Sequence, residues 1–356
     1  MKIILKLKSK ETEFFQLPNG KKRYFADLVS NTDKLREDTD WCKFCVSTYE
    51  QFRIWFGDAI PSFAECFEIL GKWDSNSTGL YTMDFDDPAH VASGLYLGYS
   101  SLDHSCAPNV SWFNVGKEMV VRTTEDVKDF SDLRMAYLKE DGKTHERRKH
   151  LKEKYFFDCK CVRCEDPNSD AKFTSLKCKS CPGWVHENTM ICSSCHQTLK
   201  LKDEELTIFE KHKIGTLPKF EVTMNIKEIR TTLEKYIRIF HLHHEIFRRP
   251  EDLFESGYWQ MVYQAPNYDT VLLDLELRKL KLSHLNEYIS QWHSAIGNLN
   301  VQVSNLYSAL TLFNKAEFHL AKAEEIFRVV YGEDHPWMQE CQKLKMKLLL
   351  SCVSLK

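Results

Sequence analysis

The sequence predicts an α+β fold in three parts: a β-containing part over residues 1–157, a cysteine-rich segment over 158–200 and an all-helical part over 201–356. Short β-type runs and a hairpin signal lie in the first part. Seven of the 13 cysteines fall between Cys159 and Cys195. Apolar residues spaced by three and four, with few turn signals, mark the third part as helical.

Composition restricts the class of protein. The chain carries 49 basic and 51 acidic residues, a formal charge of −2, which argues against a polycation that binds nucleic acid or membranes along its whole length. The first residues lack the continuous apolar run of a secretory signal. The charge-free stretch from Tyr288 to Asn314 contains too many amides for lipid and reads as an amphipathic helix. We therefore expect an intracellular protein, in the cytoplasm, the nucleus or both, without a membrane partner. We also expect it to be a monomer.

Local signals predict the elements of the first part in order. The predicted elements are a helical stretch Trp41–Leu70 broken near Gly57 and Pro61, strands Gly79–Met83 and Ser93–Tyr99, a hairpin of Val110–Phe113 with Glu118–Arg122 turned at 114–117, and a helix capped by Thr144.

In the third part, the clearest signal is a pair of helices, Val301–Phe313 and Lys315–Tyr331, ended by Gly332. The spacing of Ala316, Ala323 and Phe327 is typical of a tetratricopeptide-like hairpin. A plain helical bundle is the alternative.

Two groups of cysteines have the spacing of zinc ligands. Cys159, Cys161 and Cys164 supply three thiolates, and a structural zinc requires a fourth ligand from elsewhere, for which Cys106 is a candidate. A chain without a secretory signal keeps such thiols reduced, which favours zinc over disulfides.

The second group consists of two knuckles, Cys178-x-x-Cys181 and Cys192-x-x-Cys195. Paired knuckles are typical of a zinc ribbon, because each turn directs two sulfurs at one ion. We expect two zinc ions per chain. A ribbon can also bind nucleic acid, but no dense run of basic residues with aromatics supports that alternative.

An ordered set of motifs resembles one family. The set is Asp103-His104-Ser105-Cys106-Ala107-Pro108-Asn109, Ala136-Tyr137-Leu138, Glu146-Arg147-Arg148, Tyr155 and the run CKCVRC that begins at Cys159. It is similar to the signature of the SET-and-MYND (SMYD) protein-lysine methyltransferases, and the helical tail resembles that family's tetratricopeptide-like domain. The resemblance implies a β-rich SET-type core, a zinc-stapled post-SET segment and an all-α tail.

The resemblance also implies roles for single residues. S-adenosylmethionine would lie beside Asp103 and His104, with Asn76 contacting it and Phe157 packing on its adenine. Tyr137 would be the catalytic tyrosine and Tyr155 a second aromatic of the lysine channel. Cys106 would be the fourth ligand of the zinc held by Cys159, Cys161 and Cys164.

The chain departs from the family pattern at three places. The N-terminal half of the SET domain and the MYND finger have no counterpart among these residues. Asp103 stands where the family has Asn, which adds a negative charge and removes an amide donor. Lys128–Leu133 replaces a Gly-Glu-Glu-Leu run.

Together these observations predict an S-adenosylmethionine-dependent protein-lysine N-methyltransferase acting on a histone or another protein. The alternative is a catalytically inactive, zinc-organised SET-like scaffold that binds proteins.

Overall fold

The computed structural model describes residues 3, 14–82, 89–138, 141–217, 219–220, 224–254, 262 and 266–354. They form two compact units, one of residues 1–138 with 146–159 and the other of 139–145 with 160–356. Met83, the predicted end of one strand, lies outside the described residues.

The first unit combines short strands with helices. Its elements are β1 (Phe14–Gln16), β2 (Lys22–Tyr24), α1 (Thr32–Leu35), α2 (Thr39–Phe56), α3 (Phe63–Asn76), β3 (Ser77–Tyr81), β4 (His90–Leu95), β5 (Asp103–His104), β6 (Val110–Val115), β7 (Glu118–Thr123), β8 (Arg134–Met135) and most of α4 (Thr144–Tyr155).

The predicted break in the first helical stretch is confirmed, and local chemistry explains it. The Asp38 side chain accepts from two backbone N–H groups at the start of α2. Gly57 ends α2 with a φ of 56°, a conformation that a residue with a Cβ rarely adopts. Ser62 and Glu65 then form a capping box that starts α3.

The strand predictions are right in kind and shifted in position. The hairpin forms between β6 and β7, and it pairs through Val115 and Glu118, so its turn is two residues shorter than predicted. The run predicted as strand over 93–99 is strand only to Leu95, and Tyr99 enters a 3₁₀ turn. Tyr99 is buried there with Leu102, Val110 and Met135 in the core beneath the hairpin.

The pairing that positions the site joins two distant segments. β5 runs parallel to β8, with Asp103 opposite Arg134 and His104 opposite Met135. Asn109 reinforces this pairing, because its side chain accepts from the backbone N–H of Arg134 (2.7 Å) and donates to the carbonyl of Asp132 (3.0 Å).

The second unit is mainly helical. Its elements are α5 (Val162–Glu165), β9 (Leu176–Lys177), β10 (Trp184–Val185), α6 (Asp203–Lys213), α7 (Ile226–Ile239), α8 (Tyr268–Tyr288), α9 (Ser294–Ala309), α10 (Phe313–Tyr331) and α11 (Pro336–Ser354). Its core contains Leu176, Phe220, Ile229, Leu233, Phe240, Phe247 and Leu273.

The predicted hairpin of the tail is present as α9 and α10. Gly297 on α9 lies so close to Phe327 on α10 that a Cβ would approach that ring to 2.4 Å. Ala316, Ala323 and Phe327 are fully buried, as their spacing predicts. The charge-free stretch 288–314 is not one helix, because the chain leaves α8 at Tyr288 and re-enters helix at Ser294. None of the helices among the described residues combines the length and apolarity that a bilayer span requires.

Buried histidines make the second unit sensitive to acid. His284 has no exposed surface, and its ring lies beside those of Phe173 (5.3 Å) and Tyr288 (4.7 Å). Burial lowers the pKa of His284, and likewise that of His241, from 6.5 to about 4. The unfolded chain therefore binds protons at these rings before the folded chain does, so stability falls as the pH drops from 6.5 to 4.

We predict that His284→Phe reduces this acid sensitivity by about 3 kcal/mol in the free energy of unfolding between pH 6.5 and 4. Urea denaturation at a series of pH values measures it. Leu282→Phe serves as the control, because it alters a buried residue of the same helix without removing a titratable group, and it should leave the pH dependence unchanged. Identical pH profiles for His284→Phe and the unaltered chain would contradict the prediction.

Candidate functional site

The candidate site is built around His104. Its Nδ1 accepts from the backbone N–H of Tyr137 (3.1 Å), 33 residues away along the chain. An imidazole nitrogen that accepts carries no proton, so the proton of the neutral ring lies on Nε2. That nitrogen is 3.2 Å from the Cys106 sulfur. The ring therefore joins the backbone of the predicted catalytic tyrosine to a predicted zinc ligand.

Three further aromatic side chains gather at this ring. We call His104, Tyr137, Tyr155 and Phe157 the aromatic cluster. The Tyr137 ring centroid is 5.2 Å from that of His104 and 4.9 Å from that of Tyr155. The Phe157 centroid lies 6.0 Å from His104 and 6.4 Å from Tyr137, edge to face with the latter. The structure thus brings together four of the six residues predicted for catalysis and cofactor binding.

The Tyr137 phenol is held neutral. Burial raises its pKa to about 12, and the nearby negative charge of Asp103 acts in the same direction. Its hydroxyl donates to the carbonyl of Leu102 at 2.7 Å. Since the proton is engaged in this way, the lone pairs of the oxygen remain available as acceptors. Burial also raises the pKa of Tyr155.

The two other predicted cofactor residues have different surroundings. Asp103 is exposed beside His104 on β5. Asn76 is the last residue of α3, and its amide donates to the carbonyls of Val29 and Lys72, both at 2.7 Å. Among the described residues, these backbone groups, rather than the aromatic cluster, are its hydrogen-bond partners.

The predicted cysteine groups both converge. The sulfurs of Cys106, Cys159, Cys161 and Cys164 all lie within 4.8 Å of one another. Those of Cys178, Cys181, Cys192 and Cys195 do the same. Four thiols at such separations match the tetrahedral set that zinc prefers, so the donor chemistry at each group fits a structural zinc ion.

Backbone geometry around the second group also favours thiolates. The N–H groups of Ser180, Gly183 and Ser194 each donate, at 3.4 Å, to the sulfur of the cysteine two residues earlier. Such bonds stabilise the charged form of a sulfur. Gly183 is required here, because a Cβ would meet the Ser194 hydroxyl at 2.5 Å and the Cys192 sulfur at 3.0 Å.

A third cluster of potential ligands, His212, His244 and Glu245, fits a metal poorly. The buried His244 accepts from the Ile246 N–H through Nδ1 (3.1 Å), which leaves the ring proton on Nε2. Glu245 is paired with Lys143 at 2.6 Å. The carboxylate thus already has a cation.

Sequence patterns missed two features of the site. The Leu102 carbonyl, which accepts the Tyr137 hydroxyl, is a backbone group that no side-chain motif reports. Phe156 lies between two members of the aromatic cluster and has a φ of 60°. The available signal was the Tyr-Phe-Phe run that begins at Tyr155, the last residue of α4.

Comparisons with known proteins find lysine methyltransferases among the proteins similar to this chain. No family model matches the chain. The chain is 34% identical to human histone-lysine N-methyltransferase SMYD3 over 151 residues, which are 41% of this chain and 35% of that protein. It is 26% identical to Arabidopsis thaliana histone-lysine N-methyltransferase ASHR1 over 69% of this chain and 54% of that protein. Identity to the Danio rerio N-lysine methyltransferase SMYD2-A is 21%, over 96% of this chain and 73% of that protein. The chain therefore spans between about a third and a half of SMYD3 and ASHR1.

We predict that Cys181→Ser lowers the zinc content from about two ions per chain to about one, because three thiolates hold structural zinc weakly. Elemental analysis of the purified protein measures this. Cys42→Ser is the matched control and should retain both ions, since Cys42 belongs to neither group. One ion in the unaltered chain would count against a zinc site at Cys178–Cys195, and two ions in Cys181→Ser would show that Cys181 is not required for zinc binding.

Proposed function

We propose that this chain is an S-adenosylmethionine-dependent protein-lysine N-methyltransferase of the SMYD type. The observation that carries the proposal is the aromatic cluster, in which His104 ties the backbone of Tyr137 to the Cys106 sulfur. The names of the similar proteins support lysine as the acceptor. The proposed substrate is a lysine side chain of a histone or another protein.

The side chains of the site suit the proposed cofactor. S-adenosylmethionine supplies an electrophilic methyl group on a positively charged sulfur. Aromatic faces attract cations, and the exposed Asp103 adds a negative charge next to His104. Both His104 nitrogens are engaged by Tyr137 and Cys106, so this residue would contact the cofactor through its ring face or its backbone. Phe157 would supply a second apolar face.

The same side chains can prepare a lysine for methylation. The attacking amine must be neutral, and a desolvated aromatic surrounding disfavours the ammonium form. The Tyr137 hydroxyl donates a hydrogen bond to the Leu102 carbonyl, so its oxygen can accept one N–H of the amine. That bond fixes the direction of the nitrogen lone pair, which is the main contribution a protein can make to an in-line transfer. Tyr155, 4.9 Å from Tyr137, would form the neighbouring wall.

Zinc would contribute indirectly. An ion on Cys106 and the neighbouring thiols would fix the loop that carries His104. The Nε2–H of His104 would then donate to a zinc ligand, the Cys106 sulfur, and such bonds orient ligands in metal sites. The second zinc, at Cys178–Cys195, would stabilise the fold of a segment that is too short to have its own hydrophobic core.

We predict that Tyr137→Phe lowers kcat by about tenfold to a hundredfold, because it removes the acceptor that orients the amine. Binding of S-adenosylmethionine should change less than about threefold, since the ring remains. The assay uses tritiated S-adenosylmethionine with recombinant core histones and a lysine-peptide array, and calorimetry measures cofactor binding.

The matched control for this test is Tyr96→Phe. Tyr96 packs against the same core, and its hydroxyl donates to a backbone carbonyl outside the site, that of Lys117, at 2.6 Å. Equal rates for Tyr137→Phe and the unaltered chain would remove Tyr137 from the mechanism. A folded, zinc-loaded chain that fails to bind S-adenosylmethionine would support the scaffold alternative.

A further inference from the structure

Phe156 has an unusual backbone conformation for a bulky residue. It follows the last residue of α4, and its N–H donates to the carbonyl of Lys152 at 3.2 Å. Its φ is 60°, in the left-handed region that glycine usually occupies after a helix. A bulky residue persists there only where its surroundings impose the conformation, and such positions cluster at functional sites.

The surroundings that impose it lie in the helical part of the first unit. Phe156 packs against a buried cluster of Leu35, Cys45 and Phe67, which contribute one residue from each of α1, α2 and α3. Lys34 makes two further contacts with Phe156. Its ammonium lies 5.0 Å from the ring centroid and donates to the Phe156 carbonyl at 3.3 Å.

The residues on either side of Phe156 have different contacts. The Tyr155 ring meets Tyr137, and the Phe157 ring meets both Tyr137 and His104. The left-handed turn at Phe156 therefore divides three consecutive aromatic residues, one anchored in the helices and two placed in the aromatic cluster. A second contact braces the same turn, since Lys154 pairs with Asp74 of α3 at 2.6 Å.

We propose that Phe156, held by Lys34, is the positioning residue for the aromatic cluster. Its ring fixes the turn that sets Tyr155 and Phe157 against Tyr137 and His104. The role in catalysis rests on the proposed methyltransferase function, whereas the placement of the rings does not. A glycine would adopt the same φ without strain but would lose the anchor, and so would not replace Phe156.

The test compares Phe156→Ala with Leu70→Ala. Leu70 packs against the same buried residues as Phe156 but lies on α3, away from the turn. Both variants lose packing, so both should lower Tm, and only Phe156→Ala should displace Tyr155. The first readout is the ring signal of Tyr155 in NMR spectra of ¹³C-tyrosine-labelled protein, assigned with Tyr155→Phe. The second readout is kcat for methyl transfer. We expect kcat to fall about tenfold or more in Phe156→Ala and to change less than twofold in Leu70→Ala. Phe156→Tyr should keep the kcat of the unaltered chain.

The two readouts separate the two proposals. A Tyr155 signal that moves in Phe156→Ala alone supports the positioning role, even if the unaltered chain transfers no methyl group, a result that would count against the proposed function only. An unmoved Tyr155 signal in Phe156→Ala overturns the positioning role whatever the rate. Equal changes in Phe156→Ala and Leu70→Ala overturn it too, because they would reflect general loosening of the helices.

Discussion

The site depends on the two hydrogen bonds of the His104 ring. Because Nδ1 accepts from the Tyr137 N–H, the proton is on Nε2, and Nε2 can donate to the Cys106 sulfur. A single neutral ring thus fixes two segments 33 residues apart. The parallel pairing of β5 with β8 brings these segments together, but it is only two residues long. The side-chain bonds of His104 and Asn109 therefore supply much of the alignment that a longer ladder would supply elsewhere.

A helical support complements this strand pairing. Tyr155 and Phe157 of the aromatic cluster lie at the end of α4, and the turn between them packs against a buried cluster from α1, α2 and α3. The chemistry of the site therefore relies on a sheet-like side that places His104 and Tyr137 and on a helical side that places Tyr155 and Phe157. Asp103 adds charge to this apolar arrangement. Its carboxylate opposes ionisation of Tyr137 and would attract a sulfonium, while it cannot donate as an amide would.

Features set by local chemistry could be predicted from the sequence. The two knuckles, the break at Gly57, the hairpin near Gly116 and the buried faces of α9 and α10 all follow from neighbours a few residues apart. The residues at which helices and strands end were harder to predict. The burial of Tyr99 and the loop after Tyr288 depend on packing against distant residues. The bonds of His104 and Leu102 to Tyr137 join remote segments. Motif order placed His104 and Tyr137 in one site, but only the fold shows which atoms meet. For Asn76, the predicted cofactor contact stays a prediction, since its amide bonds to backbone.

The link between the tyrosine and the cysteine loop depends on the protonation state of His104, which one measurement determines directly. Long-range ¹H–¹⁵N correlation spectra of ¹⁵N-histidine-labelled, zinc-loaded protein distinguish the two neutral tautomers, and His104→Gln assigns the signal. We predict a neutral ring with its proton on Nε2, because Nδ1 accepts from Tyr137. A proton on Nδ1 would mean that the ring cannot accept the Tyr137 N–H, and the link between the tyrosine and the cysteine loop would not exist.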